Sequence, residues 1–167
     1  MIPKKLKRWA RRAFAPDHRT RGAVQAELDR LRSAPRHTRQ SSDLLGSRLE
    51  IIDGASFCSS YDAIFGRQLY SFQTLTATPR IIDAGSNIGL SVLYFKQSYP
   101  SSRIVAFEAD PAIFKVLEAN VRNAGHHDVE LVNKAVWNLE TTIEFCVEGA
   151  DAGRISSDHH LAHEARR

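Results

Sequence analysis

Eight residues, Ile82-Asp83-Ala84-Gly85-Ser86-Asn87-Ile88-Gly89, join a short apolar run to a stretch of helical periodicity, and few folds accept such a junction. A strand that turns through small residues directly into a helix is the entry of a βα unit in a parallel sheet. The downstream pattern repeats that unit. Positions 103–107 (Ile104, Val105, Phe107) predict a second buried strand. Asp110-Pro111 predicts a helix start, because Asp caps free N–H groups and Pro tolerates the first helical position. Ile113, Phe114, Leu117 and Val121 then fall on one helical face, and Gly125 is a stop signal. Positions 129–132 predict a third strand. The order β-α-β-α-β with tight connections predicts an α/β fold with a parallel sheet built by right-handed crossovers.

Upstream of this unit the texture is different. The first forty residues hold 12 of the 23 Lys and Arg but three of the 19 acids, so this part carries +9 and the remainder −5. The basic balance belongs to an N-terminal arm, and a mildly acidic body argues against nucleic acid as its partner. Positions 1–43 are read as a basic helical arm and linker, with helical stretches at 4–14 and 22–31, and positions 44–167 as the main domain. Within the latter, 48–52 predicts a short strand, Asp53-Gly54 a turn, and 61–70 one or two short helices. Positions 141–147 alternate Ile143, Phe145 and Val147 as a further strand after a turn.

The glycine junction also carries the chemistry. A nucleotide-type ligand approaches the backbone at such a turn, so side chains there must be absent or small, and Gly85 and Gly89 are read as supplying that clearance. The dinucleotide fingerprint is G-x-G-x-x-G, shaped for a pyrophosphate anion. Here the spacing is G-x-x-x-G with Asp83 ahead of it, which suits the ammonium of S-adenosylmethionine better than the pyrophosphate of NAD. Glu108 stands directly after the second strand, where a carboxylate can accept both ribose hydroxyls; its alternative is a solvated strand-end acid or a partner for the helix start at Asp110. Asn133-Lys134-Ala135-Val136-Trp137 follows the third strand, where backbone groups can meet an adenine edge; Trp137 itself is read as core packing. Cys58 and Cys146 have no charged neighbourhood that would make a thiolate. His159 and His163 share a helical face but lack a third ligand, and no metal is expected.

These residues resemble the FkbM-type methyltransferases. The resemblance runs from about 46 to 154 and rests on Asp-x-Gly-x-Asn-x-Gly, Phe-Glu-Ala-Asp-Pro and Asn-Lys-Ala-Val in that order. The family more often has Ala at the position of Ser86 and Pro at that of Ala109. The resemblance implies a Rossmann-like class I S-adenosylmethionine methyltransferase fold. The implied reaction is O-methylation of a sugar, glycan or secondary-metabolite hydroxyl. It also implies a cofactor site of Asp83, Gly85, Ser86, Asn87, Ile88, Gly89, Glu108, Ala109, Ala135 and Val136. Family members continue into a Lys-x-Asp-x-Glu-Gly-type segment on a fourth core strand. The chain is therefore expected to be truncated after the third core strand and a following hairpin strand, with the general base outside it and an exposed edge on the first strand. The competing readings are a non-catalytic nucleotide- or partner-binding fragment and an NAD(P)-dependent oxidoreductase.

The expected partners are a small-molecule or glycan acceptor and no nucleic acid; the oligomeric state is left open. Two separated cysteines and no signal-peptide core predict a cytoplasmic protein. The segment KKLKRWARRAF combines cations with Leu6, Trp9 and Phe14, a composition suited either to peripheral contact with an anionic membrane or to a solubilising tail.

Overall fold

In the computed structural model, residues 21–138 and the strand segments 145–146 and 154–155 are described. The arm at 4–14, His159 and His163 lie outside them. The core unit follows the expected order. Strand β3 (Arg80–Ala84) leads through the glycine loop into α3 (Leu90–Ser98), and β4 (Arg103–Phe107) into α4 (Pro111–Asn123), before β5 (Glu130–Val132). The sheet order is β3-β4-β5 and both pairings are parallel, with Ile82 opposite Val105 and Phe107 opposite Val132. Sequential right-handed crossovers put both helices on one face of such a sheet. The burial alternates accordingly: Ile81, Ile104 and Ala106 are buried, whereas Ile82 on the opposite face is 74% exposed.

Helix α4 begins where its cap predicts. Asp110 accepts from the N–H of Ala112 at 2.7 Å and of Ile113 at 3.2 Å, with Pro111 at the first helical position. Its face of Ile113, Val116, Leu117 and Val121 is buried, with Asn120 among them. Helix α3 is buried nearly all round, and Lys96 near its end is 2% exposed. Its ammonium donates to the Ser102 carbonyl at 2.8 Å and to Asp128 at 2.7 Å, tying α3 to the turn that enters β5.

The upstream residues form a second layer. Helix α1 (Arg21–Ser33) buries Leu31, and β1 (Gln40–Ser42) pairs antiparallel with β2 (Leu49–Ile51). The stretch at 21–42, grouped with the arm in the sequence reading, is thus packed on the body through Leu31 and Ser42. Asp53-Gly54 is not a free turn. Asp53 caps helix α2 (Gly54–Tyr61), which runs on into one π-helical segment, Asp62–Gly66. The helical signal expected at 61–70 therefore starts earlier, because the Asp53 side chain satisfies the Ser56 N–H at 2.9 Å. Phe57, Tyr61 and Phe65 stack in series, and Phe65 meets Tyr94 of α3 edge-on at 5.7 Å. This aromatic chain joins the upstream layer to the βα unit.

Strand β6 (Phe145–Cys146) pairs antiparallel with β7 (Arg154–Ile155) and not with β3. Among the described residues β3 is therefore an edge strand.

Candidate functional site

The ends of β3, β4 and β5 converge on the glycine loop. Gly85 and Gly89 have φ of +86° and +96°, backbone that favours glycine, and Asn87 between them has φ +48°. The two glycines do different work. A Cβ on Gly89 would lie 2.8 Å from Leu117 and 3.5 Å from Val121, so Gly89 lets α4 approach the start of α3. A Cβ on Gly85 would meet nothing within 4 Å. Gly85 thus faces open space, whereas Gly89 lies against helix α4.

Glu108 ties the loop to the neighbouring strand end. One carboxylate oxygen accepts from the Asn87 N–H at 2.9 Å and the other from the Asp110 N–H at 2.9 Å. At 8% exposure it is no solvated strand-end acid. Each oxygen keeps a further lone-pair direction, so the pair can still accept from a diol. Asp83, half-buried at the end of β3, accepts from the Ser91 hydroxyl at 2.5 Å. The buried Ser86 hydroxyl donates back to the Asp83 carbonyl at 3.1 Å. Ile88 is buried in the core.

Asn133 donates from its amide to the carbonyls of Glu108 at 2.8 Å and Ala109 at 3.2 Å, which brings the end of β5 beside the end of β4. Ala135 and Val136 follow as exposed residues. Trp137, read as core, is 51% exposed, because β5 ends at Val132 and no described element covers the residues after it. Cys58 is buried, donates to the Leu28 carbonyl at 3.3 Å, and burial pushes its thiol pKa up. That is the environment of an unreactive thiol. Among the described residues no three of His, Cys, Asp and Glu converge as a metal site would require.

Beside the loop lies a cavity of ≈ 260 Å³, bordered by Gly85, Ser86 and Asn87 on one side and by Asp53, Ser56, Ser60 and Tyr70 on the other. Three residues that shape this region have roles not expected from the sequence. Asn120, fully buried on the apolar face of α4, donates to the carbonyls of Ile88 at 2.9 Å and Glu50 at 3.0 Å, and accepts from the Glu50 N–H at 2.7 Å. It clamps the glycine loop to β2. Its signal was a lone amide in an apolar helical stripe, where a buried polar group needs built partners. The others are Asp53 and Arg36, whose guanidinium reaches the Asp53 carboxylate at 2.8 Å.

Burial alone would raise the Asp53 pKa. The N–H groups of His37 and Ser56 and the Arg36 guanidinium outweigh it and hold the carboxyl well below the usual carboxylate range. A carboxyl depressed on folding adds stability above its unfolded pKa and loses it as pH falls through the folded one. The melting-temperature gap between the protein and Asp53→Asn is therefore expected to be constant above about pH 5 and to close below about pH 4. A gap that widens on acidification would contradict this.

No family model matches the chain. Methyltransferase sdnD of Sordaria araneosa is 44% identical to it over 61 residues, 36% of this chain and 24% of that protein. Methyltransferase 1 of Beauveria bassiana (strain ARSEF 2860) is 51% identical over 41 residues, 25% of this chain and 16% of that protein. The chain thus spans about a quarter or less of the length of these relatives. Among solved structures, the SAM-dependent methyltransferase from Agrobacterium tumefaciens superposes with a TM-score of 0.40 at 8% identity, over 62% of this chain and 34% of that one. Coclaurine N-methyltransferase bound to N-methylheliamine and SAH gives a TM-score of 0.38 at 19% identity, over 84% and 48%. Shape likeness at those scores carries no functional weight.

Proposed function

We propose that this chain contributes the cofactor-binding part of an S-adenosylmethionine-dependent methyltransferase. The observation that carries the reading is Glu108, a nearly buried carboxylate held beside the glycine loop at the carboxyl ends of the strands. Ligands of open α/β sheets bind at that end. The two relatives named as methyltransferases support the same class. The site fits the cofactor in its chemistry. Gly85 leaves open space for close backbone approach, Glu108 has unused acceptor capacity for a ribose diol, and Asp83 can receive an ammonium.

When bound, S-adenosylmethionine supplies an activated methyl group on a sulfonium. The residues of this chain bind and orient. Glu108 orients the ribose, Asn120 and Gly89 hold the loop against β2 and α4, and Ala135 and Val136 offer backbone and apolar surface to the base. Methyl transfer to a hydroxyl depends on bringing the oxygen into line and on removing its proton. None of the described site residues is assigned the proton-removing role. The order of the Asp-x-Gly-x-Asn-x-Gly, Phe-Glu-Ala-Asp-Pro and Asn-Lys-Ala-Val motifs supports an FkbM-type enzyme acting on a sugar or secondary-metabolite hydroxyl. The acidic balance of residues 41–167 supports an acceptor other than nucleic acid.

Calorimetric titration tests the reading. The 167-residue chain is expected to bind S-adenosylhomocysteine at least about tenfold more tightly than NAD, a difference of roughly 1.4 kcal/mol. Equal or tighter binding of NAD would overturn it.

A further inference from the structure

The cavity beside the glycine loop is bordered by a charge hub. The Asp53 side chain is 1% exposed and accepts from three donors, the Arg36 guanidinium at 2.8 Å, the His37 N–H at 2.7 Å and the Ser56 N–H at 2.9 Å. A second nitrogen of Arg36 reaches the Ser56 hydroxyl at 3.5 Å. The segment at 36–37, the first turn of α2 and the cavity wall therefore meet on one carboxylate. Ser56 and Ser60 lie one turn apart on α2 and border the cavity together with Gly85, Ser86 and Asn87. Glu108 does not itself border it, but Asn87, whose N–H Glu108 accepts, does. A ligand whose nucleoside is held at Glu108 has its remaining part, the amino-acid end, free to extend along the loop toward α2.

We propose that Arg36 and Asp53 form a latch that sets the spacing between α2 and the glycine loop, and so determines the grip on the amino-acid end of S-adenosylmethionine. The inference rests on the cofactor reading above. Both are positioning residues, acting through the placement of Ser56 and Ser60. The separation between folding and placement follows from the donor set. Without Arg36, Asp53 still accepts from two backbone N–H groups and still caps α2, so the helix persists while its charged tie is lost. Arg36 itself is largely exposed, so its removal leaves no cavity in the core.

The test compares two probes on the full 167-residue chain. S-adenosylhomocysteine carries the amino-acid end, whereas 5′-methylthioadenosine keeps the nucleoside and lacks it. Arg36→Gln and Asp53→Asn are expected to weaken S-adenosylhomocysteine roughly tenfold, through the displacement of Ser56 and Ser60, while changing 5′-methylthioadenosine by less than about twofold. Arg36→Lys should fall between, because a single ammonium does not hold Asp53 and Ser56 together as the guanidinium fork does. Thermal unfolding of each variant verifies that titrations run on folded protein. Unchanged S-adenosylhomocysteine affinity overturns the latch, as does parallel weakening of both probes, which is what general loosening of the fold would cause; either result leaves the cofactor reading standing. Failure of the unsubstituted chain to bind either probe overturns the cofactor reading and the latch with it.

Discussion

Glu108→Ala is expected to weaken S-adenosylhomocysteine binding about 100-fold or more, since two charge-assisted bonds to ribose hydroxyls are each worth roughly 1.5–3 kcal/mol. The same substitution removes the Glu108 acceptor from the N–H groups of half-buried Asn87 and of Asp110, which is buried. An orphaned buried donor costs about 1–3 kcal/mol, so thermal unfolding should shift downward as well. Glu108→Gln separates the two effects. It keeps one oxygen for a backbone donor but turns an NH₂ toward the other, so some of the stability returns while most of the ribose affinity does not. Titration calorimetry and melting curves on the three proteins check this. An Ala variant that binds as tightly as the parent would mean that Glu108 only braces the loop.

Gly54→Ala should destabilise the protein by about 3 kcal/mol or more, the upper end of what overpacking costs. The added Cβ would stand 2.0 Å from the Leu31 carbonyl oxygen and 2.5 Å from the Gln40 side-chain nitrogen. Gln40 can swing aside. The Leu31 carbonyl cannot, because it is backbone and its residue is fully buried. Relief requires α1 to lift off α2, which opens the core around Leu31, Phe57 and Cys58. For a chain of this length the loss corresponds to a melting temperature lower by roughly 6–12 °C. A variant melting within about 2 °C of the parent would mean that α1 does not sit against α2 in this way.

The two layers were not equally legible. The βα unit was readable because each of its signals is local. Alternation and apolar runs mark β3, β4 and β5, Asp110-Pro111 marks the start of α4, and the eight-residue junction marks the turn from β3 into α3. Asp53-Gly54 was misread as a turn because capping and turning use the same residue types. Only the three donors gathered from 36, 37 and 56 distinguish the two cases. Trp137 was misread because its burial depends on what lies beside the sheet, which no local pattern encodes.

By itself the sequence determined the element types of the βα unit, their order, the parallel sheet and the placing of Asp83, Gly85, Asn87 and Glu108 around one turn. These follow from periodicity, caps and backbone clearance, which act within a few residues. The tertiary structure alone decided that Gly89 lies against α4, since the side chain a Cβ there would meet is that of Leu117, 28 positions downstream. It alone joined Asn120 to Glu50 across 70 positions and Arg36 to Asp53 across 17. Buried polar groups must find partners wherever the fold brings them, so their identity is a property of the packed chain and not of any segment of it.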